Sequence, residues 1–360
     1  MTFAEARARF PLLERVAFLN AGSMGPLSRA TVAAVEAAQR RDADLGRGSR
    51  RHIEEVLEAR TRVRAALAAL LRVEAEQVAL TGSTSDSCRI VVAGLGLGPG
   101  DEVVTTDSEH FGLVGPLHAS GATVRVAPVL GRRRDEALAA LLEAVTPRTR
   151  LLALQHVSWF TGELLPIDEL QEATGLPLLV DGAQSAGAIP VDASRYDFYT
   201  VSAQKWLCGP DGTGALVVRD PQAVRVALPS YFAQVGYEPD GSFTARPGAG
   251  RHDWGWLGLP ALAGLETALA ELPEWGYERA AAMTARCREL LGARFDLVAA
   301  DGGGTLVSIR LGDDAAADAV ARAAERGVIV RDLPGTGLVR ASCGYWTNED
   351  DLERLVEALA

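Results

Sequence analysis

Lysine is almost missing from this chain of 360 residues: 36 Lys plus Arg comprise 35 arginines and a single lysine, Lys205. Arginine can take over nearly any solvated or ion-pairing role of lysine, but its guanidinium does not deprotonate and cannot act as an amine nucleophile. A lysine whose pKa is lowered by its site can, and it then forms imines with carbonyl compounds. The near-absence therefore makes Lys205, in Ser202-Ala203-Gln204-Lys205-Trp206, the first candidate for chemistry. A leftover lysine on an arbitrary loop is the plain alternative, and the neighbouring motifs decide between the two.

Other absences narrow the class. The four cysteines, Cys88, Cys208, Cys287 and Cys343, show no CxxC spacing, so neither a zinc site nor a disulfide framework is signalled and no metal is expected. No uninterrupted apolar run reaches the length of a membrane span. The opening Met1-Thr2-Phe3-Ala4-Glu5 leads into a charged amphipathic stretch instead of a secretory leader, so a cytoplasmic location is expected. A formal charge of −11 argues against nucleic acid or an anionic membrane as partner. There is no internal repeat.

What is present is an alternation of patterns. Apolar residues at helical spacing over 28–45 and 53–71 predict two early helices. Short apolar runs at 77–80, 102–104, 123–126, 151–154 and 176–180 read as strands separated mostly by helices, which predicts a mostly parallel α/β sheet covered on both faces. Such sheets carry their functional residues beyond the carboxyl ends of the strands. Beyond about residue 245 the order changes to helices at 260–272, 277–291, 315–326 and 348–359 and strands at 305–310, 327–331 and 338–342. This is an α+β module, with a junction expected in the glycine-rich 241–250.

Several motifs sit where such a sheet places chemistry. Asp181 follows the apolar run Leu178-Leu179-Val180, where a carboxylate suits the protonated nitrogen of a heterocycle or, more commonly, a helix N-cap. Thr81-Gly82-Ser83-Thr84-Ser85 joins a strand to a helix and gathers hydroxyls and free N–H groups, an anion site or simple capping. His110 follows another strand and could stack on a planar group or serve as acid/base. Arg340, inside the apolar Leu338-Val339-Arg340-Ala341-Ser342, needs an anionic partner, either a ligand carboxylate or an intradomain acid. The glycine-rich 94–100 is not a dinucleotide fingerprint, because a helix precedes it and a strand follows; it reads as a helix C-cap and turn.

Taken together and in this order, these motifs resemble the class V aminotransferases, fold-type I pyridoxal-phosphate (PLP) enzymes that include cysteine desulfurases, cystine lyases and isopenicillin N epimerases. The resemblance runs from Phe18-Leu19-Asn20-Ala21-Gly22 to Tyr345-Trp346-Thr347-Asn348 and on to Leu352. It implies a seven-stranded, mostly parallel large domain over 16–245 and a small α+β domain over 246–360, with 1–15 packed on the latter. Lys205 would hold PLP as a Schiff base, Asp181 would meet the ring nitrogen, Gln184 the ring hydroxyl, Ala183 one face of the ring and His110 the other. Thr84, Ser85, Ser202 and Gln204 would take the phosphate. Arg340 would bind the α-carboxylate of an amino-acid substrate, with Asn20 and Trp159 beside it, and the chain would be a homodimer.

Departures from the family pattern shape the functional expectation. Gln204 stands where many relatives have His, Trp159 where desulfurases have Asn, and Trp256 where a Thr reaches the neighbouring subunit's phosphate. The segment 327–337 lacks the nucleophilic cysteine of the desulfurases. The expectation is a C–S β-lyase; an aminotransferase or epimerase is the alternative, and a non-catalytic binding protein on the same scaffold the remote one.

Overall fold

The structure, a computed structural model, describes residues 1–299 and 302–360. Its centre is a sheet of seven strands: β1 (Val78–Thr81), β2 (Glu102–Thr106), β3 (Thr123–Ala127), β4 (Thr149–Gln155), β5 (Leu178–Asp181), β6 (Phe198–Ser202) and β7 (Gly214–Val218). They lie in the order β1-β7-β6-β5-β4-β2-β3. All pairs are parallel except the two made by β7. The inner strands are buried throughout except at Arg150 near the start of β4, which explains why they read as continuous apolar runs instead of alternating ones. Successive residues serve opposite faces: Leu152 and Leu154 pack with Val56, Val63 and Leu67 of the helix Arg50–Leu71, while Leu151 and Ala153 pack with Val91 and Leu113.

Local signals set the helix ends. Ser28 and Ser49 cap the two early helices by accepting from the N–H of Thr31 and His52. The helix Thr84–Leu95 starts at the Ser83 cap and stops at Gly96, whose φ of 63° is the left-handed C-cap expected of the glycine-rich turn.

The second module is a four-stranded antiparallel sheet in the order Asp296–Leu297, Leu306–Arg310, Leu338–Ser342, Arg331–Leu333. The single strand expected at 327–331 is divided. Val328–Ile329 pairs in parallel with Ala17–Phe18, and only from Arg331 does the chain join the sheet. Residues 1–15 pack against this module: Arg7 grips both carboxylate oxygens of Asp351 at 2.6 and 2.9 Å, and Phe10 lies 5.6 Å from Trp346.

Packing does not change over at residue 245. Leu257, Leu262 and Leu265 belong to the large-sheet core, through the helix Leu259–Ala270, whereas Ala17 and Leu19 belong to the small one. The outer edge of β1 is closed by the segment 248–254. Asp253 Oδ1 accepts from Leu80 N at 2.8 Å, and Trp254 N donates to Leu80 O at 2.8 Å. Asp253 Oδ2 is held by Arg60 at 2.8 Å and Arg64 at 2.7 Å.

Candidate active site

Strand order dictates where the site forms. β4, β5 and β6 are parallel neighbours, so their carboxyl ends bring Gln155, Asp181 and Ser202 together, and the turn after β6 carries Lys205. That turn is tight. Lys205 O accepts from Cys208 N at 3.1 Å, Cys208 adopts φ 53°, and Gly25 N donates to Gln204 O at 2.8 Å. Gly25 is required there, because a Cβ would collide with the Lys205 carbonyl oxygen.

These residues line a cleft enclosing about 770 Å³ of empty space, within the range of small-ligand sites. Lys205, Asp181, Ala183, Gln184, His110, Thr84, Ser85, Ser202, Gln204, Trp159 and Arg340 all face it. Asn20 does not; its Oδ1 accepts from Ser23 Oγ at 2.7 Å. Trp256, half-exposed, faces Phe232 and His52 elsewhere.

The electrostatics favour a free amine. Burial pushes the Lys205 pKa down to about 8, with the charges of Arg340 and Arg331 adding to the fall and Asp181 opposing it. His110 is also lowered, by desolvation first and then by Lys205. Its Nδ1 accepts from Gly112 N at 3.1 Å, which leaves Nε2 as the protonated nitrogen of the neutral ring. The ring meets Trp159 edge to face, centroids 5.4 Å apart. Asp181, buried, accepts from Ala183 N at 2.9 Å.

An anion cradle lies at the N-terminus of the helix Thr84–Leu95. Thr84 N donates to Ser202 Oγ at 3.2 Å, and the hydroxyls of Ser202 and Thr200 donate to Thr84 Oγ1 at 3.1 and 3.2 Å. Helix N–H groups and hydroxyls gathered in this way suit a phosphate. Gln204 lines the same cleft, and its buried Oε1 has no hydrogen-bond partner among the described residues. Gln184 is already engaged: Nε2 donates to Gly22 O at 2.9 Å and Oε1 accepts from Trp206 at 3.0 Å. An amine, a buried carboxylate and a hydroxyl-lined helix end fit PLP at its aldehyde, ring nitrogen and phosphate.

The sequence reading missed a second arginine. Arg331 is the cross-strand partner of Arg340 and lines the cleft beside it. Arg340 is 1% exposed and its pKa is pushed down to about 9 by burial and then by Arg331. Its Nη1 donates to Trp159 O at 2.9 Å, and its Nε has no partner among the described residues. Ser23 Oγ accepts from both arginines, at 3.0 and 3.3 Å. Among the described residues neither guanidinium has an acidic partner. A hairpin register counted back from Arg340 would have located Arg331; Ser23 and Gln155 carry no comparable signal.

Comparison with known proteins agrees with this geometry. Residues 18–355 match the family model described as aminotransferase class-V. Isopenicillin N epimerase of Streptomyces clavuligerus is 29% identical, over 99% of this chain and 97% of its own. A probable cysteine desulfurase of Xylella fastidiosa (strain Temecula1 / ATCC 700964) is 31% identical over 59% of this chain and 55% of its own. Among solved structures, a complex of the cystine C–S lyase C-DES with its reaction product cysteine persulfide superposes with a TM-score of 0.89 at 27% identity, over 97% of this chain and 98% of that one. A mutant of C-DES with glycine covalently linked to its PLP cofactor gives the same score over 98% of both chains. With the family match spanning nearly the whole chain and the lysine, carboxylate and phosphate cradle together in one cleft, the chain belongs to the class-V aminotransferases and is a PLP-dependent enzyme.

Proposed function

We propose that this enzyme catalyses β-elimination from a sulfur-bearing amino acid, with cystine or a carboxylate-bearing cysteine conjugate as substrate. The observation that carries this reading is the pair Arg340 and Arg331, two guanidiniums in one cleft with no ion-pair partner among the described residues. Such a pair calls for two carboxylates, and cystine has one on each half. The cysteines support the same choice: all four are buried and none lines the cleft, so a persulfide-forming thiol is missing.

When bound, PLP supplies an electron sink conjugated to the substrate's α-carbon. The remaining work falls to the chain. Arg340 holds the α-carboxylate, displacing the Ser23 hydroxyl, and Arg331 takes the second carboxylate. The Lys205 amine, its pKa lowered to about 8 so that an appreciable fraction is free near neutral pH, removes the α-proton. The bond from Cβ to sulfur then breaks, the sulfur leaves with the electron pair, and the aminoacrylate hydrolyses to pyruvate and ammonia. Asp181 holds the proton of the ring nitrogen, and Trp159 and Val157 give the cleft an apolar wall.

The test is to supply cystine, S-methylcysteine and ordinary amino acids with and without a 2-oxo acid. Pyruvate released without an acceptor, fastest from cystine, is the expected result. Strict dependence on a 2-oxo acid would sink the lyase reading. The end-to-end similarity to isopenicillin N epimerase favours a second reading, epimerisation, which would appear as deuterium uptake at Cα with no pyruvate. A homodimer is part of the proposal, supported by exposed Tyr231, Val235 and Tyr237, and is checked by light scattering. So is a cytoplasmic location, checked by fractionation.

A further inference from the structure

Gln155 ends β4 with its side chain buried in the cleft, 3% exposed, yet the roles assigned above leave it none. Its amide is fully engaged. Nε2 donates to Ser108 O at 2.8 Å and to Ser108 Oγ at 3.0 Å, and Oε1 accepts from Trp159 N at 2.9 Å. Its backbone N–H donates to Glu109 Oε2 at 2.9 Å, and Glu109 Oε1 accepts from Thr106 Oγ1 at 2.7 Å. One side chain therefore ties the loop that presents His110 to the loop that presents Trp159, the two rings that meet 5.4 Å apart. The tie continues, because Trp159 O accepts from Arg340 Nη1 at 2.9 Å.

We propose that Gln155 is a positioning residue that fixes the spacing of the His110 and Trp159 loops and, through the Trp159 carbonyl, the aim of Arg340 at the substrate carboxylate. An amide suits this place on chemical grounds. It must donate at one end and accept at the other; a carboxylate cannot donate, and an aliphatic chain can do neither. No water can substitute without space at a site this buried. The chain of contacts from Ser108 to Arg340 is continuous, so loosening one end changes the other. The inference rests on Arg340 gripping a carboxylate, and not on whether the outcome is elimination, epimerisation or transamination.

The experiment compares wild-type holoenzyme with Gln155→Met, which keeps the length and removes all three side-chain bonds, and Gln155→Glu, which keeps the acceptor for Trp159 and removes the donor. Amide hydrogen exchange is followed in the peptides spanning 105–112 and 157–162, alongside KM, kcat and the cofactor's visible absorption. In Gln155→Met both peptides should exchange faster and KM should rise about tenfold with a smaller change in kcat, while the absorption stays. In Gln155→Glu the acceleration should be confined to 105–112. In the wild-type protein, independently of any variant, the Trp159 amide should exchange at least about tenfold more slowly than that of Phe160, which donates no hydrogen bond among the described residues. Unchanged exchange in both loops of Gln155→Met, or equal exchange of Trp159 and Phe160 in the wild type, overturns the proposal. Failure of the lyase assay alone would leave these exchange results standing, so the two readings fail separately.

Discussion

Because the chain has one lysine, an amine-reactive label reads only Lys205 and the N-terminus, and the pKa of the proposed catalytic amine can be measured without mutation. Burial and the charges of Arg340 and Arg331 bring that pKa from 10.5 to about 8. At pH 7.5 about a quarter of the amine is then free, against about 0.1% for an ordinary lysine, a gain of about two hundredfold in nucleophile. The assay uses PLP-stripped protein, a brief pulse of acetic anhydride at pH 6 to 11, and mass spectrometry of the Lys205 peptide. The N-terminal amine, labelled in the same pulse, is the internal reference for reagent exposure. The Lys205 midpoint should fall near 8. Removing a like charge with Arg340→Gln should raise the Lys205 midpoint, and removing the opposing attraction with Asp181→Asn should lower it further. A midpoint at or above about 10, or shifts of the opposite sign, would refute the reasoning.

The same arginines give a substrate-dependent prediction: Arg340→Gln should raise KM for every amino acid by about a hundredfold, whereas Arg331→Gln should do so for cystine and spare S-methylcysteine. Gly25→Ala should cost about 2 kcal/mol or more in a denaturant melt and displace the Lys205 turn, since the new methyl meets the Lys205 carbonyl. Burial holds His156 and His252 near pKa 4, below the 6.5 of the unfolded chain, so the unfolded state binds more protons between those values. Stability should therefore fall as pH drops from 6.5 to 4, by about 2 kcal/mol for each histidine, and His252→Gln should flatten the dependence of Tm on pH.

The site was legible where chemistry restricts residue choice. A lone lysine, an aspartate ending an apolar strand and an arginine inside one each conflict with their surroundings, and conflict of that kind marks function. β6 and β7 were harder. Phe198–Ser202 includes Tyr199, Thr200 and Ser202, so no apolar run announces it, although it is fully buried between a parallel neighbour, β5, and an antiparallel one, β7. The divided strand at 327–333 was not readable either, because its first half pairs with Ala17–Phe18 about three hundred residues earlier. Asn20 was placed beside the substrate by the family resemblance alone. Its side chain turns instead to Ser23, whose hydroxyl also accepts from Arg331.

The closed edge of β1 bears on how the protein behaves before its cofactor arrives. An open sheet of seven strands exposes two rims, and an unguarded rim invites pairing with another chain and growth into aggregates. Here one rim is blocked by a carboxylate in place of a strand: Asp253 occupies the Leu80 N–H, and two arginines keep it there. The other rim, β3, carries Arg125 at its middle, a charge that a docking strand would have to bury. Neither guard depends on PLP. A stripped or newly made chain should therefore remain monodisperse on standing, and loss of Asp253 should show first as turbidity, ahead of any loss of catalytic competence.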